Sequence, residues 1–390
     1  MSNYIFKPFH ETYRIITFTM IAAMIYPNPA TEKRRLIYIG LMLLSVIPLA
    51  FMIVTEMYEF FMASDLNNTI RHSTVIGPFI GGFVKVALMY YKRRQANELV
   101  SEINRDHLAY NGLKGEDREI AASSIRNCQI YCELGWTLIV MSCGLSFPVI
   151  AILLKIHSFT FKLDSTKHMI HDINNPFTDD PEDRFESPFF EIMFVYTFFS
   201  SFIYIINYVG YDGFFGLCIN HACLKMKLYC RALEDAMRSD SRRHEKIVAV
   251  IEEQRRTYEY IALIQDTFNI WLGLIYVATM IQMCTCMYHI VQSFNIDVRY
   301  IIFVISIIHI YLPCRYAANL KCMAAETPTL IYCCGWESVS DLRIKRMMPF
   351  MVARSQVIVE ITAFNMFAFD MELFVWIMKT SYSMFTLMRS

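Results

Sequence analysis

His168 and His171 stand three positions apart, a spacing at which two imidazoles can share a zinc ion. Two ligands on a loop hold zinc weakly, so a solvated pair is the simpler expectation. Cys284 with Cys286, and Cys333 with Cys334, are close thiol pairs inside helical stretches. Neither has the Cys-x-x-Cys spacing of a redox or zinc site, and packing explains them. The run "DDPEDRFE" could attract cations through its field, but a solvated loop accounts for it. No phosphate-cradling glycine loop, dinucleotide fingerprint or His-Glu-x-x-His occurs. The chain reads as a non-enzyme with no cofactor and no metal.

The residues that demand explanation are of another kind. Lys85 lies inside an apolar stretch, where an ammonium is costly unless it snorkels or meets a carboxylate. Gly77 and Gly81, in "GPFIGG", form a small-xxx-small face where helices approach closely or a ligand finds room. Asp370 and Glu372 belong to the last apolar stretch and need water or a basic partner there. Further along it, Ser381, Met384, Phe385 and Met388 recur at i, i+3, i+4 and i+7, which places them on one helical face. That face is either a packing surface or an apolar constriction.

These residues need a membrane around them. Of the 390 residues 55% are apolar and 18% charged, with Phe 30, Met 25 and Tyr 23, more apolar surface than one soluble core hides. Net charge is zero, which gives no argument for nucleic acid. The 12 cysteines sit in or beside apolar runs and behave as small hydrophobes. Seven stretches are long enough to span: Leu36–Met57, Thr74–Tyr91, Leu134–Leu154, Phe189–Cys218, Ile261–Val291, Ile301–Leu320 and Val357–Met388. The fourth, fifth and seventh exceed the bilayer and should project into water. "CMAAETPTLIYCCGWESVS", broken by Pro328 and Gly335, reads as a separate helix near the membrane surface. "YRIITFTMIAAMIYPNP" is too short to span and lacks a signal peptide's basic start, so it reads as re-entrant or interfacial.

Basic residues orient the bundle. They crowd the N-terminal region (Lys33, Arg34, Arg35) and the second, fourth and sixth connections, and are scarce in the alternate ones. The N-terminus is therefore expected in the cytoplasm, and seven spans put the C-terminus outside. The sequon at Asn67 then falls on the outer face as a glycosylation candidate. The expected fold is an all-α integral membrane protein. Its units are 1–35, a cytoplasmic N-terminal segment; 36–260, the first four spans; and 261–390, the last three. The orientation is opposite to that of a G-protein-coupled receptor, and that class's Asp-Arg-Tyr and Asn-Pro-x-x-Tyr motifs are absent from their places.

The final third carries a resemblance. "ETPTLIYCCGWESVSDLRIKRMMPFMVARSQ" gives a polar helix start, Trp336 and a basic helix, and the apolar helix after it closes with "KTSYSMFTLMR". This order resembles the C-terminal region of insect odorant receptors, and "SYSMFTL" looks like their Ser-Tyr-Ser ending. Span count, loop lengths, orientation and size extend the likeness over the whole chain. Gustatory relatives end in Thr-Tyr and then Gln-Phe, where this chain has Leu387-Met388. The shared co-receptor has a large insertion in its fourth connection, which here is short. The chain thus resembles a ligand-tuned subunit, loosely of the moth kind, with a G-protein-coupled or gustatory-type receptor as the alternative.

The resemblance implies an odorant-gated, non-selective cation channel in the plasma membrane of olfactory neuron dendrites. The chain would form a heterotetramer with co-receptor subunits and contact membrane lipid. The last helix would line the pore through Ser381, Met384, Phe385 and Met388, with Phe385 best placed as gate. Trp336, Arg354 and Gln356 would belong to a cytoplasmic subunit anchor, joined by Phe268 and Trp271. A small volatile would bind between the outer halves of the second, third, fourth and sixth spans. The candidate pocket residues there are Ile76 and Phe79; Ser146 and Phe147; Phe194, Thr197 and Phe198; and Tyr300, Phe303 and Ile307.

Overall fold

The computed structural model describes residues 5–160, 169–171, 173–178, 180–239, 242–293 and 298–389. Two short helices open the chain, α1 (Phe9–Thr12) and α2 (Arg14–Ala22), followed by α3 (Glu32–Met62), α4 (Leu66–Tyr91), α5 (Arg93–Tyr110) and α6 (Gly115–Asn127). A wide helical segment, Cys128–Gly135, joins α6 directly to α7 (Trp136–Thr160). Then come α8 (Phe189–Arg238), α9 (Arg243–Ser293), α10 (Val298–Tyr332) and α11 (Leu342–Ser355). A two-residue pair of strands, β1 (Thr362–Ala363) and β2 (Phe367–Ala368), precedes α12 (Met371–Arg389).

The fold is all-helical and built for a membrane. Among the described residues, five helical stretches are long and apolar enough to cross one, those carrying α3, α7, α8, α9 and α10, and Ile76–Tyr91 of α4 is a shorter apolar helix. Their apolar side chains cover much of the molecule's outside: Leu44, Phe51, Leu153 and Phe199 are all exposed. In water such a surface would aggregate, and in hydrocarbon it costs nothing.

The helices outrun the spans expected from apolar composition. α8 has 50 residues and α9 has 51, each about 75 Å at 1.5 Å per residue against roughly 30 Å of hydrocarbon. Backbone hydrogen bonding does not stop where the side chains turn polar, so the helix carries on into water. The same reason corrects the separate surface helix expected after the sixth span. α10 runs through Pro313 and Pro328 to Tyr332 and stops at Gly335, whose φ of 85° a side chain would resist. A proline inside a helix removes one hydrogen bond, and a long packed helix survives that loss.

The seventh expected span is also corrected. Residues 357–370 are not helical. Thr362 pairs with Ala368 and Ala363 with Phe367, and Phe364 and Asn365 turn between them with φ of 52° and 56°. The hairpin lies on α9: Gln265 accepts from the Thr362 amide at 2.8 Å and donates to its hydroxyl at 2.6 Å. The Phe364 ring sits over Gly273, where a Cβ would collide with it. Only at Met371 does the last helix begin, capped by Asp370, whose carboxylate accepts from the Glu372 and Leu373 amides at 3.1 and 3.0 Å.

The N-terminal segment packs against protein. Ile16 and Met20 on α2 are fully buried against α8, where Gly213 leaves the space: a Cβ there would come within 2.8 Å of Ile16. Glu133 accepts from the amides of Ile15 and Ile16, at 2.6 and 3.2 Å, so the start of α2 is capped by the segment before α7.

Candidate functional site

A cavity of about 190 Å³ lies among α3, α4, α7, α8, α9 and α10, at the end of the bundle opposite α5 and α6. Helical periodicity explains its walls. Trp136, Val140, Cys143 and Phe147 line it at i, i+4, i+7 and i+11 on α7. Thr197, Ser200, Ser201, Tyr204 and Tyr208 form the α8 wall. Ile302, Ile305, Ser306 and His309 form the α10 wall, and Gln282 enters from α9. Ile170 and His171 of the α7–α8 connection close one end.

Most wall atoms are apolar, and most polar side chains spend their donors on nearby backbone. Thr197 donates to the Met193 carbonyl at 2.7 Å, Ser200 to Tyr196 at 2.9 Å, Ser201 to Thr197 at 3.0 Å and Ser306 to Ile302 at 2.8 Å. Trp136 Nε1 donates to the Tyr208 carbonyl at 3.1 Å, and the Tyr208 hydroxyl to the Pro78 carbonyl at 3.2 Å.

The floor is charged. Lys85 on α4 and Asp212 on α8 meet at 2.7 Å, both buried, and His309 on α10 approaches the same carboxylate at 2.9 Å. The Lys85 ammonium lies 3.3 Å from the Tyr208 ring centroid, and the Trp136 indole stacks on the His309 ring at 5.8 Å. Lys85 therefore has the carboxylate that its position demands. The three charged and polar groups join three helices beneath one cavity, and two of their contacts are also cavity walls.

The expected pocket residues divide. Phe147 and Thr197 line the cavity, and Ser146 beside them turns its hydroxyl to the Cys143 carbonyl at 2.6 Å. Ile76 and Phe194 pack in a neighbouring apolar cluster with Val46, Leu49 and Phe190. Phe198 packs edge-on against Phe199 and Phe202. Tyr300, Phe303 and Ile307 are not among the α10 residues lining the cavity: Phe303 and Ile307 each follow an inward residue, Ile302 and Ser306, by one position, about 100° of helix, and Tyr300 stands two positions before Ile302. The side chains of Phe79 and Asn67, and all of His168, lie outside the described residues. Trp136, Tyr208, Asp212 and His309 were not anticipated. The available signal was a lone carboxylate in "YVGYDGFF" opposite a lone lysine in "GFVKVAL", two opposite charges in two apolar spans.

His171 meets His72 ring to ring at 5.2 Å, and Glu56 lies 3.6 Å from His72 Nε2. Among the described residues no set of three His, Cys, Asp or Glu is placed to hold a metal.

On α12, Ile377, Ser381 and Phe385 form the buried stripe. Phe385 packs with Ile70, Cys284 and Tyr288, inside the single chain. Met384 is 38% exposed, and Tyr382 and Leu387 more so; the Met388 side chain lies outside the described residues. Of the four residues expected on one surface, Ser381 and Phe385 thus lie on the buried side and Met384 on the open one. Asp370 has a basic partner, Lys321 at 3.2 Å, which also holds Glu360 at 2.8 Å.

Trp336 donates to the Tyr332 carbonyl at 3.0 Å, Arg354 lies 4.5 Å over the Tyr258 ring, and Gln356 is exposed where α11 ends. Phe268 and Trp271 are buried with Tyr211 and Phe215 in an aromatic cluster between α8 and α9. A second buried ionic cluster ties α5 to the lower halves of α8 and α9. Asp106 takes His221 at 2.9 Å and Lys225 at 2.7 Å, and Lys225 reaches Glu253 at 2.6 Å. Burial pushes the Asp106 carboxyl up, but the His221 and Lys225 contacts outweigh it and hold the group well below the ordinary carboxylate range. Burial, helped by the nearby His221, drives His107 down to about 4.

A partly open apolar cavity among the helices of a multi-pass membrane protein is the kind of site that takes a small molecule. A family model described as 7tm Odorant receptor matches residues 65–382, and the chain belongs to that odorant receptor family. Odorant receptor 13a of Drosophila melanogaster is 23% identical over 218 residues, 50% of this chain and 52% of that relative, so the match spans about half of each. The olfactory receptor OR5 of Machilis hrabei in complex with eugenol superposes with a TM-score of 0.77 at 14% identity, covering 97% of this chain and 98% of that one. The OR5 structure described without eugenol gives 0.73 at 12% identity over 97% of each chain.

Proposed function

We propose that this odorant receptor is the ligand-tuned subunit of an odorant-gated, non-selective cation channel. It assembles with co-receptor subunits as a heterotetramer in the plasma membrane of olfactory sensory neuron dendrites. Seven helices span, namely α3, α4, α7, α8, α9, α10 and α12, with the N-terminus in the cytoplasm and Asn67 outside. The observation that carries the reading is the apolar cavity between α7, α8 and α10 in a chain of the odorant receptor family. The capture of eugenol by a protein of the same fold supports a small organic volatile as ligand.

Affinity comes from desolvation and dispersion over the apolar walls, with few directional bonds. Phe147 and Thr197 contact the ligand directly, while Ile76, Phe194, Tyr300, Phe303 and Ile307 shape the pocket from behind. α12 contributes the pore. Its open side, with Met384, faces the conduction path, and Ser381 and Phe385 set the rotation of the helix from behind. Trp336, Arg354 and Gln356 belong to the subunit anchor at the basic end.

Co-expression with a co-receptor tests the reading. A volatile panel should evoke cation current that depends on this chain. Silence across a broad panel despite surface expression would count decisively against it, and an N-terminal tag reachable from outside intact cells would overturn the orientation.

A further inference from the structure

The polarity of the cavity leans toward acceptors. Thr197, Ser200, Ser201 and Ser306 line it, and each gives its hydroxyl proton to a backbone carbonyl of its own helix at 2.7 to 3.0 Å. A hydroxyl that has donated keeps oxygen lone pairs for accepting. Trp136 and Tyr208 have likewise placed their N–H and O–H on backbone carbonyls. His309, as a neutral ring donating Nε2–H to Asp212, holds its Nδ1 as an acceptor. Gln282, Tyr204 and His171 also line the cavity and can each give or take a hydrogen bond, so the wall keeps a few donors among its more numerous acceptors.

Resting on the reading of this cavity as the odorant site, we infer that the receptor is tuned to neutral alcohols, volatile molecules bearing an O–H donor, over carbonyl compounds, ethers and hydrocarbons of the same size. An alcohol satisfies its own donor and the acceptors of the wall together. A carbonyl or ether brings only an acceptor to a wall richer in acceptors, and away from Gln282, Tyr204 and His171 a hydroxyl must break its helix bond to meet it. A hydrocarbon leaves the serine oxygens dry. Amines are excluded on charge: an ammonium needs a carboxylate, and Asp212 is already taken by Lys85 and His309. The volume of about 190 Å³ is somewhat above the roughly 150 Å³ that accepts benzene in an engineered apolar cavity. One-ring and six-carbon molecules are therefore the right scale of probe.

Binding is read on the purified full-length chain by quenching of Trp136 fluorescence, with Trp136→Phe identifying the cavity's share of the signal. The probes are benzyl alcohol against benzaldehyde, anisole and toluene, and hexanol against hexanal and hexane. In at least one series the alcohol should bind roughly tenfold tighter than its congeners. Ser200→Ala, Ser201→Ala or Ser306→Ala should shrink that ratio severalfold while leaving toluene unchanged. An aldehyde or ether that binds as well as its alcohol in both series overturns the inference, and so does a preference untouched by all three substitutions. Either result leaves odorant gating intact. Trp136 quenching by none of the probes, together with silence across the volatile panel in the current assay, would instead remove the cavity as an odorant site.

Discussion

Lys85 shows what one buried charge demands. Its ammonium, the Asp212 carboxylate and the His309 ring form one unit, so removing one member strands another. Lys85→Met leaves Asp212 buried with only His309, and the loss should be about 3–5 kcal/mol, read as a fall in thermal stability of the solubilised protein. Adding Asp212→Leu should recover much of it, because two apolar side chains need no partner. Phe385→Ala opens a cavity against Ile70, Cys284 and Tyr288 and should cost about 3–5 kcal/mol of folding stability. Ion selectivity should stay as in the parent channel, and a changed permeability ratio would place the ring in the pore after all. At this scale the sequence was partly legible. Lys85 announced that it needed a carboxylate, but nothing local said which one. Phe147 and Thr197 could be placed on the cavity, whereas Phe303 and Ile307 could not be told from Ile302 and Ser306. In "YIIFVISIIHIYL" only Ser306 and His309 interrupt the apolar run, and two such residues are too few to give the helix's period a firm phase.

Among the elements, α5 is held by a titratable knot. His107 is depressed to about 4, against about 6.5 in an unfolded chain. The unfolded form therefore binds the proton more readily, and the stability from this group is present at neutral pH and lost as pH falls from about 6.5 to about 4. Asp106 behaves likewise lower down, since its depressed carboxyl contributes until acid protonates it. Protection of the α5 amides, taken relative to their intrinsic exchange at each pH, should fall between pH 7 and pH 5, and His107→Gln should flatten that dependence; an unchanged slope would clear His107. The elements also show why boundaries misled. Val357–Ile361 and Thr362 are as apolar or β-branched as a span, so composition joined them to the last helix. Their β-branching was the available sign of an extended hairpin. Pro328 and the polar turn around it looked like an end, yet α10 passes through because its neighbours hold it on both sides.

For the whole molecule, class and family were legible, because apolar length, basic asymmetry and the "SYSMFTL" ending survive divergence that erases pairwise identity. The cavity was not, since it is a property of helix rotations and no single helix encodes it. One further feature of the whole chain concerns stiffness. Among the five long apolar helices, α3, α7 and α10 carry prolines at Pro48, Pro148, Pro313 and Pro328, while α8 and α9 carry none. Prolines are where helices hinge. The cavity is therefore bounded partly by walls with proline joints and partly by two helices without them. α8 is pinned at Asp212 by one ionic knot and at His221 and Lys225 by another, with Thr197 on one side of both and Arg238 on the other. A beam held at mid-length is a lever. Its two arms are of similar length, so a tilt about that region would move Arg238 about as far as it moves Thr197, in the opposite direction.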